Sequence, residues 1–418
     1  MNKSKTQKEV LSQMQKGFDP LEDFYQQLEL SFFQKLKIKT IILSVLFYKV
    51  FILPFQKKKK IQLQKTLESY QEMPLKVQRT HLKASEGNYY LSEEEIQIFE
   101  KEGIIKPFKV ISSEEAAALK DEISNQFDKD FEGKHYLGDE ITATLKKHNS
   151  FNLTSGGLYQ ALRLKNFRDL LRKPQIAQRL ASLMGEEVLC WRSQFFEKKP
   201  KSTGTFWHQN SLFREVAKDS KLVPTKKMDD PIVQLTAWVA LSDVSIKNGA
   251  LRLMPGSFHD SRLEFMYNFA QDNLIFFLSQ VPISQLKIPL TAATFSTGSF
   301  IRSQAVFNIV TSILPDLFKN SDIMDITMKA GECVLFTSSN MHASFPNITE
   351  DDTRFAFVGR CTANHVKVFP NTDTSTYATA DGFKDFKLPE YSSFQIHGKD
   401  SFGYNKIMTE EVEEKINI

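Results

Sequence analysis

The order of elements along the chain predicts a mainly β protein, a barrel or jelly roll decorated with helices and preceded by a basic, helical extension. Three observations carry this. Capped, helix-like segments fill the stretch after Leu91. From Glu187 onward the pattern turns to short apolar or alternating runs, punctuated by Gly, Pro, Asn and Asp. No internal repeat or long low-complexity tract interrupts them. Helices first and many strands afterwards fit a closed or double-layered β architecture.

Ser92 stands three residues before Glu95, the spacing of a capping box, so a helix is expected to start there and stop at Gly103. Residues 104–110 then read as a short strand, and Ser113-Glu-Glu opens a second helix running to Phe127. Residues 130–160 are polar and irregular, and residues 163–185 read as one helix ending at Gly185. The strand candidates follow: VLCWRSQFFEKK, PIVQLTAWVALSDV, ALRLMPGS, ECVLFTSS and RFAFVGRCT. Asn248-Gly249 signals a tight turn between two of them. A helical stretch at 261–280 reads as an insertion over the barrel mouth.

The 418 residues divide into an extension at 1–90, a main domain at 91–390 and a polar tail at 391–418. Phenylalanine occurs 35 times, so the core should be rich in aromatic rings. Three scattered cysteines without CxxC spacing argue against a disulfide framework or a zinc site, and fit a reducing, cytoplasmic setting. The net charge of +4 is uneven: residues 1–60 hold twelve lysines against five acids, so the rest of the chain is net acidic. A nucleic-acid partner would want a basic stripe on the folded body, and none is visible. Thr40 to Phe55, flanked by lysines and followed by Lys57 to Lys60, is interrupted by Lys49 and ended by Pro54. It falls short of the about 20 apolar residues of a spanning helix. Packing on the main domain, peripheral membrane contact through residues 35–60 and, ranked last, true spanning are the readings of it.

Eight histidines are present, and context must select among them. His208 sits in GTFWHQN; His342 sits in SNMHASFP, directly after the strand ECVLFTSS; Arg354 follows twelve residues later in a further strand. A mononuclear iron oxygenase uses few protein ligands on one face of the metal, leaving positions for a chelating oxo acid and dioxygen. A buried arginine then pairs with the oxo acid's distal carboxylate. The two histidines and Arg354 have the order that this plan needs.

The flanking sequence is more specific. From about Leu91 to about residue 370 the chain resembles the phytanoyl-CoA dioxygenase superfamily, on SEEEIQIFEKEGIIKPFKVISSEEAAALKDEI, FWHQN, NGALRLMPGSFH, AGECVLFTSSNMHASFPN and RFAFVGR. Within it, LCWRSQFFEKKP…GTFWHQN and QLTAWVALSDVSIKNGALRLMPGS are similar to the iron/2-oxoglutarate halogenases that act on carrier-bound aminoacyl groups. The resemblance implies a double-stranded β-helix, iron(II) held by His208 and His342, and 2-oxoglutarate held by Arg354 with help from Thr205 and Trp238. Arg360 and Thr236 match residues near the open coordination position, although ordinary strand packing also accounts for Thr236. The implied substrate is a small molecule or an acyl or aminoacyl group tethered to a carrier protein.

Position 210 departs from the pattern. Hydroxylases of the superfamily carry Asp there; the halogenases carry Ala or Gly, and chloride takes the vacated place. Asn210 removes the charge of Asp while keeping its size. Three readings follow: a hydroxylase with Asn210 as a weak amide ligand, a halogenase with Asn210 turned aside and chloride on the metal, or an impaired binding module. Retention of the surrounding residues disfavours the last, and the volume of Asn favours the first.

Overall fold

The computed structural model describes residues 77, 88–128, 164–202, 204–209, 222–225, 233–259, 322–370, 376–377, 386–387 and 393–409. The lysine-flanked segment at 35–60, Asn210 and the insertion at 261–280 lie outside these residues, as does nearly all of the extension at 1–90. Among the described residues no helix is long and apolar enough to cross a membrane.

Among the described residues four helices lead: α1 (Glu93–Glu102), α2 (Ser113–Asp128), α3 (Lys165–Arg172) and α4 (Pro174–Met184), with strand β1 (Ile104–Lys109) between the first two. The expected capping box is present: Ser92 Oγ accepts from the Glu95 N–H, and Glu95 Oε2 accepts from the Ser92 N–H. Gly103 ends α1 at φ 68°, where a Cβ would also lie 2.5 Å from Phe258 Cε1. Ser112 and Glu115 repeat the capping box at α2. The single helix expected at 163–185 is two. Pro174 excludes the helical conformation at Lys173, which is extended at φ −56° and ψ 135°, and then serves as the first residue of α4.

The strands are β2 (Val188–Lys198), β3 (Thr205–His208), β4 (Leu222–Pro224), β5 (Leu235–Ala240), β6 (Leu251–Leu253), β7 (Met324–Ile326), β8 (Glu332–Thr337), β9 (His342–Ser344), β10 (Arg354–Ala363), β11 (Val366–Val368), β12 (Thr376–Tyr377), β13 (Phe386–Lys387) and β14 (Phe394–His397). One sheet has the order β1-β8-β5-β10-β2-β14 and a second β3-β9-β6-β7; all pairings are antiparallel. Followed along the chain, β2, β5, β8 and β10 fall in the large sheet and β3, β6, β7 and β9 in the small one. That winding between two sheets is the double-stranded β-helix, or jelly roll. Asn248-Gly249 does form a turn, but it carries the chain from β5 in one sheet to β6 in the other and closes no hairpin. Phe394–His397, within the segment read as a polar tail, forms the edge strand beside β2, and Phe394 is fully buried. Pro107 is tolerated in β1 because that strand is the opposite edge, irregular between Ile105 and Phe108.

The large sheet has two apolar faces. Odd-numbered residues of β5, β8 and β10 (Ala237, Val239, Cys333, Leu335, Phe355, Phe357) join the core under the helices. Even-numbered ones (Trp238, Ala240, Val334, Phe336, Ala356, Val358) join the core that includes Leu251, Leu253 and Phe345 of the small sheet's side. Among the described residues phenylalanines serve both faces, and on the first they form a ring cluster. Phe167 of α3 meets Phe195 and Phe357 with ring centroids 5.0 and 4.9 Å away, and those two lie 5.3 Å apart. Gly359 lets α3 approach: a Cβ there would lie 2.5 Å from Leu171 Cδ1. Phe357→Ala should therefore lower unfolding free energy by about 3–5 kcal/mol, read from the denaturant midpoint at unchanged slope.

Candidate functional site

The inward face of the large sheet carries polar residues at its two ends and apolar ones between. In register, Thr236 of β5 lies beside Arg360 of β10, which lies beside Arg192 of β2. At the far end Arg354 lies beside Lys198. Because β10 alternates strictly, Arg354 and Arg360 share a face and are both buried.

The small sheet supplies the histidines. His208 ends β3, His342 begins β9, and the two are register partners with ring centroids 4.1 Å apart and planes at 47°. His342 Nδ1 lies 3.0 Å from the carbonyl oxygen of Asn340. A carbonyl only accepts, so Nδ1 carries the proton and the ring's lone pair sits on Nε2. Burial first, then the neighbouring His208, push the His342 pKa well below its ordinary value; the bond to Asn340 opposes this, and Arg360 adds a smaller push downward. His342 is thus held as a neutral imidazole, the form that binds a metal.

Asn340 fixes the loop that presents His342. Its Nδ2 donates to the carbonyls of Glu102 and Gly103 at 2.9 and 3.1 Å, tying the loop to the end of α1. Phe336 packs against the ring of His342 at 5.2 Å between centroids. Neither residue stood out in the sequence; both become relevant only once β8, β9 and α1 are brought together.

Of the residues expected to hold an oxo acid, Arg354 and Trp238 meet, with the guanidinium carbon 5.3 Å from the ring centroid. Arg354 is 3% exposed, and its Nε and Nη1 have no hydrogen-bond partner among the described residues. Burial pushes its pKa down to about 10. Thr205 is exposed and begins β3 opposite Ser344, whose Oγ accepts from the Thr205 N–H at 3.1 Å. Thr236 is buried, and its Oγ1 has no partner among the described residues. Lys198 and Ser344 were missed. A lysine in EKKP reads as a solvated strand end, and only the register with Arg354 reveals that it points inward.

The donor set fits the expected group on two counts. Among the described residues no cluster of three or more His, Cys, Asp or Glu could hold a metal, and the paired histidines are the candidate donors. A buried guanidinium with idle N–H groups is suited to a carboxylate.

Comparison with known proteins agrees with this architecture. A solved structure described as CytC3 with Fe(II) and alpha-ketoglutarate is 25% identical, superposes with a TM-score of 0.53, and spans 77% of this chain and 94% of that one. A second structure, described as CytC3, gives the same values. A search of curated proteins found no match. The profile of the phytanoyl-CoA dioxygenase (PhyH) family matches residues 99–356, well over half of the chain and inclusive of both histidines and Arg354. The chain belongs to the phytanoyl-CoA dioxygenase family.

Proposed function

We propose that the protein is an iron(II)- and 2-oxoglutarate-dependent oxygenase that hydroxylates an unactivated C–H bond of a small or carrier-tethered acyl or aminoacyl substrate. The observation that carries this is the pairing of His208 with a neutral His342 across β3 and β9, with a buried Arg354 on the facing sheet. Its likeness to CytC3 solved with Fe(II) and alpha-ketoglutarate supports the same reading.

When bound, iron(II) and 2-oxoglutarate supply the power to oxidise such a bond with dioxygen. The chain's own residues bind and orient. His208 and His342 would hold the metal through imidazole nitrogens, His342 kept in one tautomer by Asn340. Arg354, braced by the face of Trp238, would take the distal carboxylate of the oxo acid and so set its direction. The apolar residues between them, Val358, Ala356 and Val334, keep water away from the bonds being remade.

A second reading is halogenation, with chloride beside Asn210. It is favoured by Thr236, whose buried hydroxyl has no partner among the described residues and whose register partner is Arg360, at the His342 end of the sheet. A hydroxyl next to a guanidinium is an anion-binding pair. In the third reading, a binding module, the metal site is not assembled.

One experiment separates the three. Protein loaded anaerobically with iron(II) and 2-oxoglutarate should show a weak visible charge-transfer band that chloride leaves in place. A chloride-dependent shift, strengthened by Asn210→Gly, would transfer the assignment to the halogenase. Absence of the band would sink both enzymatic readings.

A further inference from the structure

Lys198 closes β2 on the inward face, directly opposite Arg354. Its ammonium is buried and donates to Ser344 Oγ and to the Phe345 carbonyl, each at 2.7 Å. Its stem runs against Gly249, where a Cβ would lie 2.3 Å from Lys198 Cδ; at φ 104°, that position also favours glycine. The side chain is therefore seated in a fitted channel.

Ser344 Oγ accepts both from Lys198 and from the Thr205 N–H. A hydroxyl that accepts twice still has its single proton to give. Lys198 and Thr205 together thus turn Ser344 into a donor. No salt bridge among the described residues gives either Lys198 or Arg354 an acidic partner. Burial and the like charge of Arg354 lower the pKa of Lys198. Two neighbouring buried cations are costly by themselves, and an anion brought between them relieves the cost.

We propose that Lys198 is a positioning residue for the oxo acid: with Arg354 and the Ser344 hydroxyl it cradles the carboxylate remote from the metal and selects a dicarboxylic oxo acid over a monocarboxylic one. This rests on the oxygenase reading above, and the test keeps the two apart. Full-length protein loaded with cobalt(II) is titrated with 2-oxoglutarate and with 2-oxopentanoate, which lacks the distal carboxylate, by calorimetry. Wild type should prefer 2-oxoglutarate strongly. Lys198→Met should weaken 2-oxoglutarate binding by about 10- to 100-fold and leave 2-oxopentanoate unchanged, so that the preference narrows. Should Lys198→Met fail to fold, Ser344→Ala reports on the same cradle and should narrow the same ratio. A full wild-type preference retained in the folded variant would overturn the role of Lys198 alone. A wild type without any preference for 2-oxoglutarate would instead remove the oxygenase reading.

Discussion

Replacing His342 by alanine is expected to abolish substrate-triggered consumption of 2-oxoglutarate, by at least roughly 1,000-fold, or about 4 kcal/mol of barrier. The size follows from the donor count. On the proposed function His208 and His342 are the protein ligands, so loss of one would leave a single imidazole, too few to hold iron(II) with open positions in place. The fold should persist, because the Asn340 loop is tied to α1 by the side chain of Asn340 and not by the imidazole. Succinate formation and iron content, measured on the same preparation, check this: both should vanish while the circular dichroism spectrum stays. Turnover at the wild-type rate would remove His342 from the metal site.

Arg354→Met should lower affinity for 2-oxoglutarate by about 100- to 1,000-fold, the loss of a bidentate, charge-assisted pair in a buried place. Arg354→Lys should not restore it, since an ammonium cannot reproduce the planar fork. Arg354→Met has an effect of opposite sign on the ligand-free protein. The guanidinium pKa, lowered by burial to about 10, means that the unfolded chain binds the proton more tightly than the folded one. Stability therefore rises with pH through the window between about 10 and the ordinary arginine value, and at neutral pH the full cost of the buried charge is present. Removing that charge should stabilise the ligand-free fold by about 1–4 kcal/mol in a denaturant titration. A gain in stability coupled to a loss of ligand is the mark of a residue kept for binding; a loss of both would make Arg354 a packing residue.

What could be read from the sequence was local or motif-borne. The capping box at Ser92 and Glu95 needs only four residues of chain, and it forms as expected. The stretches around His208, His342 and Arg354 marked the family, and the family profile covers all three. Long-range register was illegible. Nothing near Lys198 says that it faces Arg354, because their partnership is made by the antiparallel pairing of β2 with β10. The apolar pattern of residues 163–185 continues across Lys173 and Pro174, so periodicity alone hid the break that proline chemistry imposes. Phe394 and Ile396 alternate with Gln395 and His397, a half-buried strand too short to stand out from polar neighbours.

The alternation along β10 has an evolutionary consequence. The strand is a ribbon written on both sides: one text holds the helices in place, and the other lines the face to which the proposed ligand would bind. Point substitutions can edit the second text without disturbing the first, which leaves substrate choice open to gradual change. A one-residue insertion or deletion would swap the two texts, pressing guanidinium groups into grease and phenylalanines into the site. Change in this strand should thus come letter by letter, and differences in length should fall in the loops that join the sheets.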